Sequence, residues 1–276
     1  MSATIIDGKA IAGTVIANIR AQVKALAVPL HLAAVCVGTD ATLHAFVKLK
    51  QKAAQAAGIT FSSYFFDEPN EAEVIKTLDY LAQDETVHGI FVELPLPTDW
   101  NRERVLAHIP VIKDVDVISP EGEQKFYADT NPILPPAVKA LEYALSECDL
   151  DLTKTTAAIV GQGQLIGRPV AHWLRCQGMQ VTSVDVTTPN PEKITAQADL
   201  VIAGAGSPGL ILSDWIREGA IIIDYGYGRD ASGAITGDVD FASVSKKTSF
   251  ITPVPGGMGP LVIAAVLENL VTLASK

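Results

Sequence analysis

Short runs of apolar and β-branched residues alternate with amphipathic segments along the whole chain. In the first half these runs fall at residues 31–38, 60–66 and 88–94, and the segments between them carry apolar residues at helical spacing. Such an alternation is typical of repeated strand–helix–strand units with a mainly parallel sheet. The pattern therefore predicts an α/β fold.

The amphipathic segments predict helices at residues 8–27, 41–57 and 70–83. Asn70 suits the start of the third helix, because an asparagine side chain at the N-cap accepts a hydrogen bond from the first turn. A further strongly helical segment covers residues 258–274 at the other end of the chain.

The segment DTNPILPP at residues 129–136 separates two α/β series. Its prolines interrupt regular hydrogen bonding, and a helix at residues 136–149 is expected to follow. The sequence thus predicts a first domain at residues 1–135 and a second at residues 136–257. A C-terminal segment at residues 258–276 is expected to pack back on the first domain.

Composition narrows the functional classes. The chain has 276 residues, of which 48 % are hydrophobic and 19 % charged, enough for two cores. Its net charge of −10 argues against nucleic acid as a partner. Its cysteines and histidines lack the spacing of a disulfide framework or a metal site, so no metal is expected. No signal segment or membrane span stands out, and a cytoplasmic protein is expected.

Three lysines crowd the second predicted helix, within HAFVKLKQKAAQAAGI. Lys48 and Lys52 share one helical face, whereas Lys50 lies in line with Phe46 and other apolar residues. In one interpretation the stem of Lys50 covers the core while its ammonium stays in water. In the other, Lys50 is partly desolvated and takes or gives a proton. The stretch alone leaves both open.

A glycine-rich segment, TAAIVGQGQLIGRP, begins the second series and predicts a strand, a glycine turn and a helix. Glycines there let the backbone approach a pyrophosphate at the helix N-terminus, although a glycine turn that binds nothing is the alternative. The next predicted strand ends at Asp185, where an acid accepts hydrogen bonds from the adenosine ribose. A carboxylate at Asp185 would repel a 2′-phosphate, which favours NAD over NADP.

Seven blocks of sequence spread over nearly the whole chain form one pattern. They are ATIIDGKAIA, FVKLKQKAAQAAGI, HGIFVELPLP, KDVD, GQGQLIGRPV, GDVDF and ITPVPGGMGPL. Together they resemble the bifunctional methylenetetrahydrofolate dehydrogenase/cyclohydrolase family, and the last block is the most specific. The resemblance implies an N-terminal three-layer α/β substrate domain and a C-terminal Rossmann-like dinucleotide-binding domain with an interdomain cleft.

The family resemblance also implies an activity. Its enzymes oxidise 5,10-methylenetetrahydrofolate by hydride transfer to NAD or NADP, then hydrolyse the methenyl product to 10-formyltetrahydrofolate, and generally form homodimers. Carried over by position, the catalytic residues are Lys50, Glu93 and Asp116. The substrate-binding residues are Phe46, Leu94, Gly259 and Pro260. The cofactor-binding residues are Gly161, Gln162, Gly163, Ile166, Gly167, Asp185 and Tyr227.

Several positions depart from the family pattern. Phe46 keeps the ring of a pterin-stacking tyrosine without its hydroxyl, Leu43 replaces a serine, and Glu93 replaces a glutamine. A carboxylate close to an ammonium favours the charged form of both, which would make Lys50 a poorer base. We therefore predict weakened or lost hydrolysis with hydride transfer retained, because hydride transfer depends more on orientation. Alternatively, Glu93 itself carries the proton.

Other departures from the family pattern fall on the expected cofactor-binding residues. Where the family has side chains with hydroxyl or other polar groups, this chain has Leu134, Gly163, Asp185 and Val262. The family's VGI turn corresponds to residues Tyr225–Tyr227. This combination suggests altered cofactor choice. Three other functions stay open at this point. They are an ordinary bifunctional NADP enzyme, a catalytically silent folate- or nucleotide-binding relative, and a two-domain dehydrogenase with a non-folate substrate.

Overall fold

The computed structural model describes residues 3–26, 28–68 and 70–275, in which strands and helices alternate. In chain order they are β1 (Thr4–Ile5), α1 (Gly8–Ala25), β2 (His31–Val37), α2 (Ala41–Ala57), β3 (Thr60–Phe66), α3 (Glu71–Gln83), β4 (Gly89–Val92), α4 (Arg102–Leu106), α5 (Pro120–Tyr127), α6 (Pro136–Leu145), β5 (Thr156–Val160), α7 (Gly167–Cys176), β6 (Gln180–Val184), α8 (Pro191–Thr195), β7 (Leu200–Ala203), β8 (Ile221–Asp224), β9 (Gly228–Arg229), β10 (Ile235–Thr236), α9 (Phe241–Val244), β11 (Phe250–Ile251) and α10 (Met258–Ala274).

The chain divides into two compact units, each assembled from separate stretches of sequence. The six-stranded unit contains residues 3–12 and Ala137–Val262, and the three-stranded unit contains Gly13–Pro136 and residues 263–275. This division corrects the expectation that residues 1–135 stay together, because β1 pairs in parallel with β11. Two-residue strands carry no periodicity that a sequence pattern could reveal.

The three-stranded unit has a parallel sheet in the order β3-β2-β4, covered on both faces. Alternate residues of the central strand β2 point to opposite sides. One set, which includes Leu32 and Cys36, packs in a core with residues of α1, α2 and α10. The other set, which includes Val35, packs in a second core with residues of α3. The expected three layers are therefore present.

The six-stranded unit has a parallel sheet in the order β1-β11-β8-β7-β5-β6. Strand β5 pairs with β6 on one side and with β7 on the other, so the chain reverses its direction of travel across the sheet at β5. In open parallel sheets the crevice beyond such a reversal is where ligands bind. This topology confirms the expected Rossmann-like fold.

The long elements match the sequence prediction well. The bounds of α2, β3 and α10 agree at both ends, and the Asn70 side chain caps α3 by accepting from the amides of Ala72 and Glu73. Helix α6 ends at Leu145 instead of residue 149, where serine and aspartate favour a turn. Strand β4 covers Gly89–Val92 instead of the predicted 88–94, and the proline-containing LPLP segment begins two residues after its end.

The remaining differences concern short elements. Helix α1 ends at Ala25, and residue 27 of the predicted helix lies outside the described residues. Helices α4 and α5 and the β9–β10 hairpin were not predicted. Within the described residues, every helix is too short or too polar to cross a membrane.

Candidate active site

Lys50 in the three-stranded unit is turned inward and paired. Its Nζ donates to Oε1 of Glu93 at 2.7 Å and lies 4.2 Å from the centroid of the Phe91 ring. The Lys50 and Glu93 side chains are only 14 % and 12 % exposed. Lys48 and Lys52 on the same helix are exposed, as predicted. The geometry therefore favours the partly desolvated interpretation of Lys50 over a lysine that reaches into bulk water.

Two elements hold this ion pair in place. Helix α2 begins at the Asp40 cap, whose side chain accepts from the Thr42 amide at 2.7 Å, and it carries Lys50 in its interior. Glu93 follows the last residue of β4, and its amide donates to the Val35 carbonyl of β2 at 2.9 Å. Because both anchors are regular structure, the ammonium and the carboxylate have little freedom to separate.

Asp116 joins the pair. Burial raises the pKa of its carboxyl to about 6, the Lys50 ammonium opposes this rise, and the charges of Glu93 and Asp114 add to it. We name the Lys50–Glu93 ion pair together with Asp116, whose pKa its charges influence, the Lys50–Glu93–Asp116 cluster.

The two aspartates of the KDVD segment play different parts. The buried Asp114 carboxylate accepts hydrogen bonds from the Ile118 amide at 3.1 Å and from the Ser119 amide at 2.9 Å and hydroxyl at 2.6 Å. It thereby fixes the turn that follows. Asp116, by contrast, is coupled to the charged side chains of the cluster.

The sequence analysis did not single out two residues near the cluster, Cys36 and Asn269. Cys36 is fully buried in β2, and burial, reinforced by the Glu93 charge, raises the pKa of its thiol to about 12, so it stays protonated. Asn269 of α10 donates from Nδ2 to the carbonyls of Val115 and Leu134, both at 2.9 Å. It thus anchors the backbone next to Asp116. A lone amide inside an apolar helix was the available signal.

The predicted substrate-binding residues of the three-stranded unit lie on the same elements. Phe46 precedes Lys50 by one turn of α2 and is half-buried, and Leu94 follows Glu93 in the loop after β4. Two residues before Phe46, the ring of His44 stacks on Phe65 with centroids 4.5 Å apart. A pterin-stacking role of Phe46 stays a prediction.

The glycine turn of the six-stranded unit has the tight geometry that its sequence predicts. Gly161 has φ of +98°, and a Cβ at this position would collide with the Gly204 carbonyl. A Cβ at Gly167 would collide with the Gly161 carbonyl. Gly163 faces open space. Among the described residues no side chain caps the N-terminus of α7, although the Arg168 amide already donates to the Gly163 carbonyl at 3.1 Å.

The other predicted cofactor residues differ in orientation. Gln162 turns back on the strand, and its Nε2 donates to the carbonyls of Ile159 and Gly161 at 3.1 and 3.0 Å. Ile166 packs against Gly204. Asp185, directly after β6, accepts from the Thr187 hydroxyl at 2.7 Å and amide at 2.9 Å, which lowers the pKa of its carboxyl. Tyr227 is exposed.

Two family models match the chain. One, described as the catalytic domain of tetrahydrofolate dehydrogenase/cyclohydrolase, matches residues 6–116. The other, described as the NAD(P)-binding domain of the same enzymes, matches residues 135–276. The chain belongs to the tetrahydrofolate dehydrogenase/cyclohydrolase family. The resemblance inferred from the seven sequence blocks is thereby confirmed.

Individual relatives of this family are similar over their full length. The bifunctional protein FolD of Campylobacter jejuni is 38 % identical over 281 residues, covering 99 % of each chain. A crystal structure of the bifunctional FolD from the same species has a TM-score of 0.95 at 35 % identity, with 99 % of both chains covered. The Trypanosoma brucei FolD, solved with NADP and an inhibitor, has a TM-score of 0.95 at 29 % identity over 100 % and 98 % of the two chains.

Family membership bears on the predictions that the geometry alone leaves open. Gly259 and Pro260 lie in the first turn of α10 and belong to the six-stranded unit, so their role over a folate stays a prediction. The relatives are named bifunctional, and the names of the Campylobacter jejuni and Trypanosoma brucei structures state both activities, which gives no support to the doubt placed on hydrolysis. The glycine turn and the uncapped start of α7 fit a bound dinucleotide in this family's NAD(P)-binding domain.

Proposed function

We propose that this protein oxidises 5,10-methylenetetrahydrofolate with a nicotinamide dinucleotide and hydrolyses the methenyl product to 10-formyltetrahydrofolate. Membership of the tetrahydrofolate dehydrogenase/cyclohydrolase family supports the pair of reactions. The observation that carries the proposal is the inward-facing Lys50, whose Nζ donates to the Glu93 carboxylate at 2.7 Å.

Binding of the folate falls to Asp116 and Phe46. An ionised Asp116 accepts hydrogen bonds from the N–H groups of the pterin ring, and the half-buried Phe46 offers an aromatic face for stacking. Together they orient the one-carbon bridge toward Lys50. This orientation must be in place before the oxidation and before the hydrolysis. A bound nicotinamide supplies the hydride acceptor.

Hydrolysis needs proton transfer at the carbon that water attacks. Lys50 is the group placed to assist that transfer, since an amine can take the proton from the attacking water. Its Nζ is engaged by the Glu93 carboxylate at 2.7 Å, and a nitrogen held in this contact is less free to reach the water. We propose that Glu93 thereby slows hydrolysis without abolishing it, while hydride transfer proceeds without this restriction. If Glu93 itself carried the proton, its removal would slow hydrolysis instead.

We propose NAD as the preferred dinucleotide. Threonine hydrogen bonds lower the pKa of Asp185, so its carboxyl is charged at neutral pH. A charged group directly after β6 suits the ribose hydroxyls of NAD and repels the 2′-phosphate of NADP. Burial of the phosphates against the α7 N-terminus would serve both cofactors equally. The choice therefore rests on Asp185 alone.

We also propose a cytoplasmic homodimer, as the family resemblance implies. Analytical ultracentrifugation of the purified protein tests the dimer, and a monomer at the concentration used in the assays would contradict it.

A two-part assay tests the proposed reactions. Purified protein is given 5,10-methylenetetrahydrofolate with NAD or NADP, and reduced nicotinamide is followed by absorbance. Methenyltetrahydrofolate is then supplied alone, and its disappearance is followed after subtraction of the spontaneous rate. We expect turnover with NAD above NADP and a measurable enzymatic hydrolysis. Absence of turnover with either dinucleotide would contradict the dehydrogenase assignment and favour a silent or non-folate relative.

A further inference from the structure

A fully buried carboxylate holds the loop after β7. Oδ2 of Asp238 accepts from the amides of Ala205 and Gly206 at 2.6 and 3.0 Å, and Oδ1 accepts from the Ser207 amide at 2.7 Å. Asp238 is 0 % exposed. Three successive amides that converge on one anion form a nest, and charge-assisted bonds of this kind are strong. The conformation of residues 205–207 is therefore set by a single side chain.

This loop forms one wall of the nucleotide crevice predicted by the topology. It leaves the carboxyl end of β7, next to the carboxyl end of β5 where the glycine turn begins. The backbone of Gly204 lies so close to Gly161 that a Cβ there would overlap it, and Ile166 packs on Gly204 from the other side. A shift of the loop would consequently displace the turn that approaches the pyrophosphate.

Asp238 is itself fixed by a second buried carboxylate. Asp224, at the end of β8, accepts from the amides of Asp238 and Val239 at 3.2 and 3.0 Å, and from the Gly226 amide at 2.7 Å. Gly226 has no room for a Cβ because Asp238 occupies that space. We name the two residues the Asp224–Asp238 clasp. Asp224 accepts from backbone amides that follow the β9–β10 hairpin. Asp238 accepts from the amides of the loop after β7.

We infer that Asp238 is a positioning residue for dinucleotide binding. Through the amides of residues 205–207 it keeps this loop against the glycine turn, and so it shapes the crevice at the carboxyl ends of β5 and β7. This inference rests on the proposed function, since it requires that a nicotinamide dinucleotide binds at the β5 crevice. Its specific consequence is that the dinucleotide KM depends on Asp238 while the folate KM does not.

Asp238→Asn tests the inference in the full-length protein. The asparagine keeps the size of the side chain but turns an N–H₂ group toward amide donors, which opens the nest. We expect the KM for the preferred dinucleotide to rise by about tenfold or more, with the folate KM within about twofold of wild type. The matched control is Asp240→Asn, because the Asp240 side chain, two residues away, makes no cap hydrogen bond. Its dinucleotide KM should stay at the wild-type value.

The outcomes separate this inference from the proposed function. Wild-type turnover with an unchanged dinucleotide KM in Asp238→Asn would overturn the positioning role alone. Equal rises in both asparagine variants would overturn it too, because net charge would then explain the effect. A wild-type protein that binds neither dinucleotide would overturn the proposed function and the inference together. A purely structural role would lower the folded fraction and kcat and leave both KM values in place, which also overturns it.

A second variant tests the same inference if Asp238→Asn does not fold. Gly206 has φ of +67° with open space around it, so Gly206→Ala strains the same loop and leaves Asp238 intact. We expect the dinucleotide KM to rise by about threefold or more, with an unchanged folate KM. An unchanged dinucleotide KM in this variant would overturn the inference.

Discussion

Asp116 in the three-stranded unit and Asp224 in the six-stranded unit have similarly raised pKa values and different surroundings. Burial raises the pKa of each carboxyl to about 6. Asp224 accepts hydrogen bonds from the backbone amides of Gly226, Asp238 and Val239, and the like charge of the Asp238 side chain adds to the rise of its pKa. The charges that act on Asp116 belong to side chains, with Lys50 and Glu93 among them.

The comparison shows that a shifted pKa alone does not mark a reacting group. Backbone amide donors hold a carboxylate in place and give it a structural role, as in the Asp224–Asp238 clasp. Ionisable neighbours let a carboxylate exchange charge and protons with them, as in the Lys50–Glu93–Asp116 cluster. The following predictions test that distinction, and they are ordered from the largest expected effect to the smallest.

Lys50→Met should have the largest effect. It removes the amine that assists water attack, and we expect enzymatic hydrolysis of methenyltetrahydrofolate to fall by about a hundredfold or more. It also leaves the Glu93 carboxylate mostly buried and unpaired, so the free energy of unfolding should fall by about 2 kcal/mol. Absorbance assays and urea denaturation measure the two effects. The exposed Lys48→Met on the same helix is the control, and equal losses in both variants would contradict a special role for Lys50.

Asp116 should impose a pH dependence on folate binding. Because the raised pKa is about 6, the carboxyl is ionised at pH 7 and becomes neutral as the pH falls through 6. The neutral form loses its charge-assisted bonds to the pterin, so the folate KM should rise by up to about tenfold per pH unit below 6. In Asp116→Asn, the KM should be high and flat across this range. A wild-type folate KM that is constant from pH 5 to 7 would exclude Asp116 as the anchor.

Asp185→Ser tests the charge at the end of β6. Without the carboxylate, the repulsion of a 2′-phosphate disappears, and we expect the NAD-to-NADP ratio of kcat/KM to fall by about tenfold. Asp230→Ser is a matched control, since Asp230 also caps a turn in the same unit by accepting from the Ser232 amide. A ratio that stays constant in Asp185→Ser, or moves equally in the control, would remove the basis for proposing NAD.

Phe46→Tyr should have the smallest effect. It keeps the ring and restores a hydroxyl, and a neutral hydrogen bond contributes about 0.5–1.5 kcal/mol, so the folate KM should fall by about two- to tenfold. Phe65→Tyr is the control, because Phe65 is an exposed aromatic of the same unit, stacked on His44. A lower folate KM in the control and none in Phe46→Tyr would place the pterin elsewhere.

The sequence predicts long elements and their inward faces because many residues contribute to each pattern. Helix α2 was placed at both ends, and the inward direction of Lys50 followed from its alignment with Phe46. The glycine turn was also recognised, since its positive φ at Gly161 demands glycine. In these cases the physical cause lies in neighbouring residues of the same segment.

Features that depend on remote backbone were not predictable. Strand β1 consists of two residues and is defined by its partner β11. The Asp224–Asp238 clasp bonds to amides, which every residue except proline carries and which therefore leave no mark in the sequence. The raised pKa of Asp116 results from burial, which depends on how separate segments pack. The Lys50–Glu93 contact was foreseen from the family resemblance, and its 2.7 Å distance was not.

The central claim is that Lys50 acts on the folate under the restraint of Glu93. The most direct test is the rate of methenyltetrahydrofolate hydrolysis by Glu93→Gln beside the wild type, with the oxidation rate measured on the same samples. Because a neutral glutamine cannot form the ion pair that holds the Lys50 nitrogen at 2.7 Å, we predict hydrolysis faster by about fivefold or more and oxidation within about twofold. An unchanged or slower hydrolysis would contradict the claim, and a slower rate would indicate that Glu93 carries the proton.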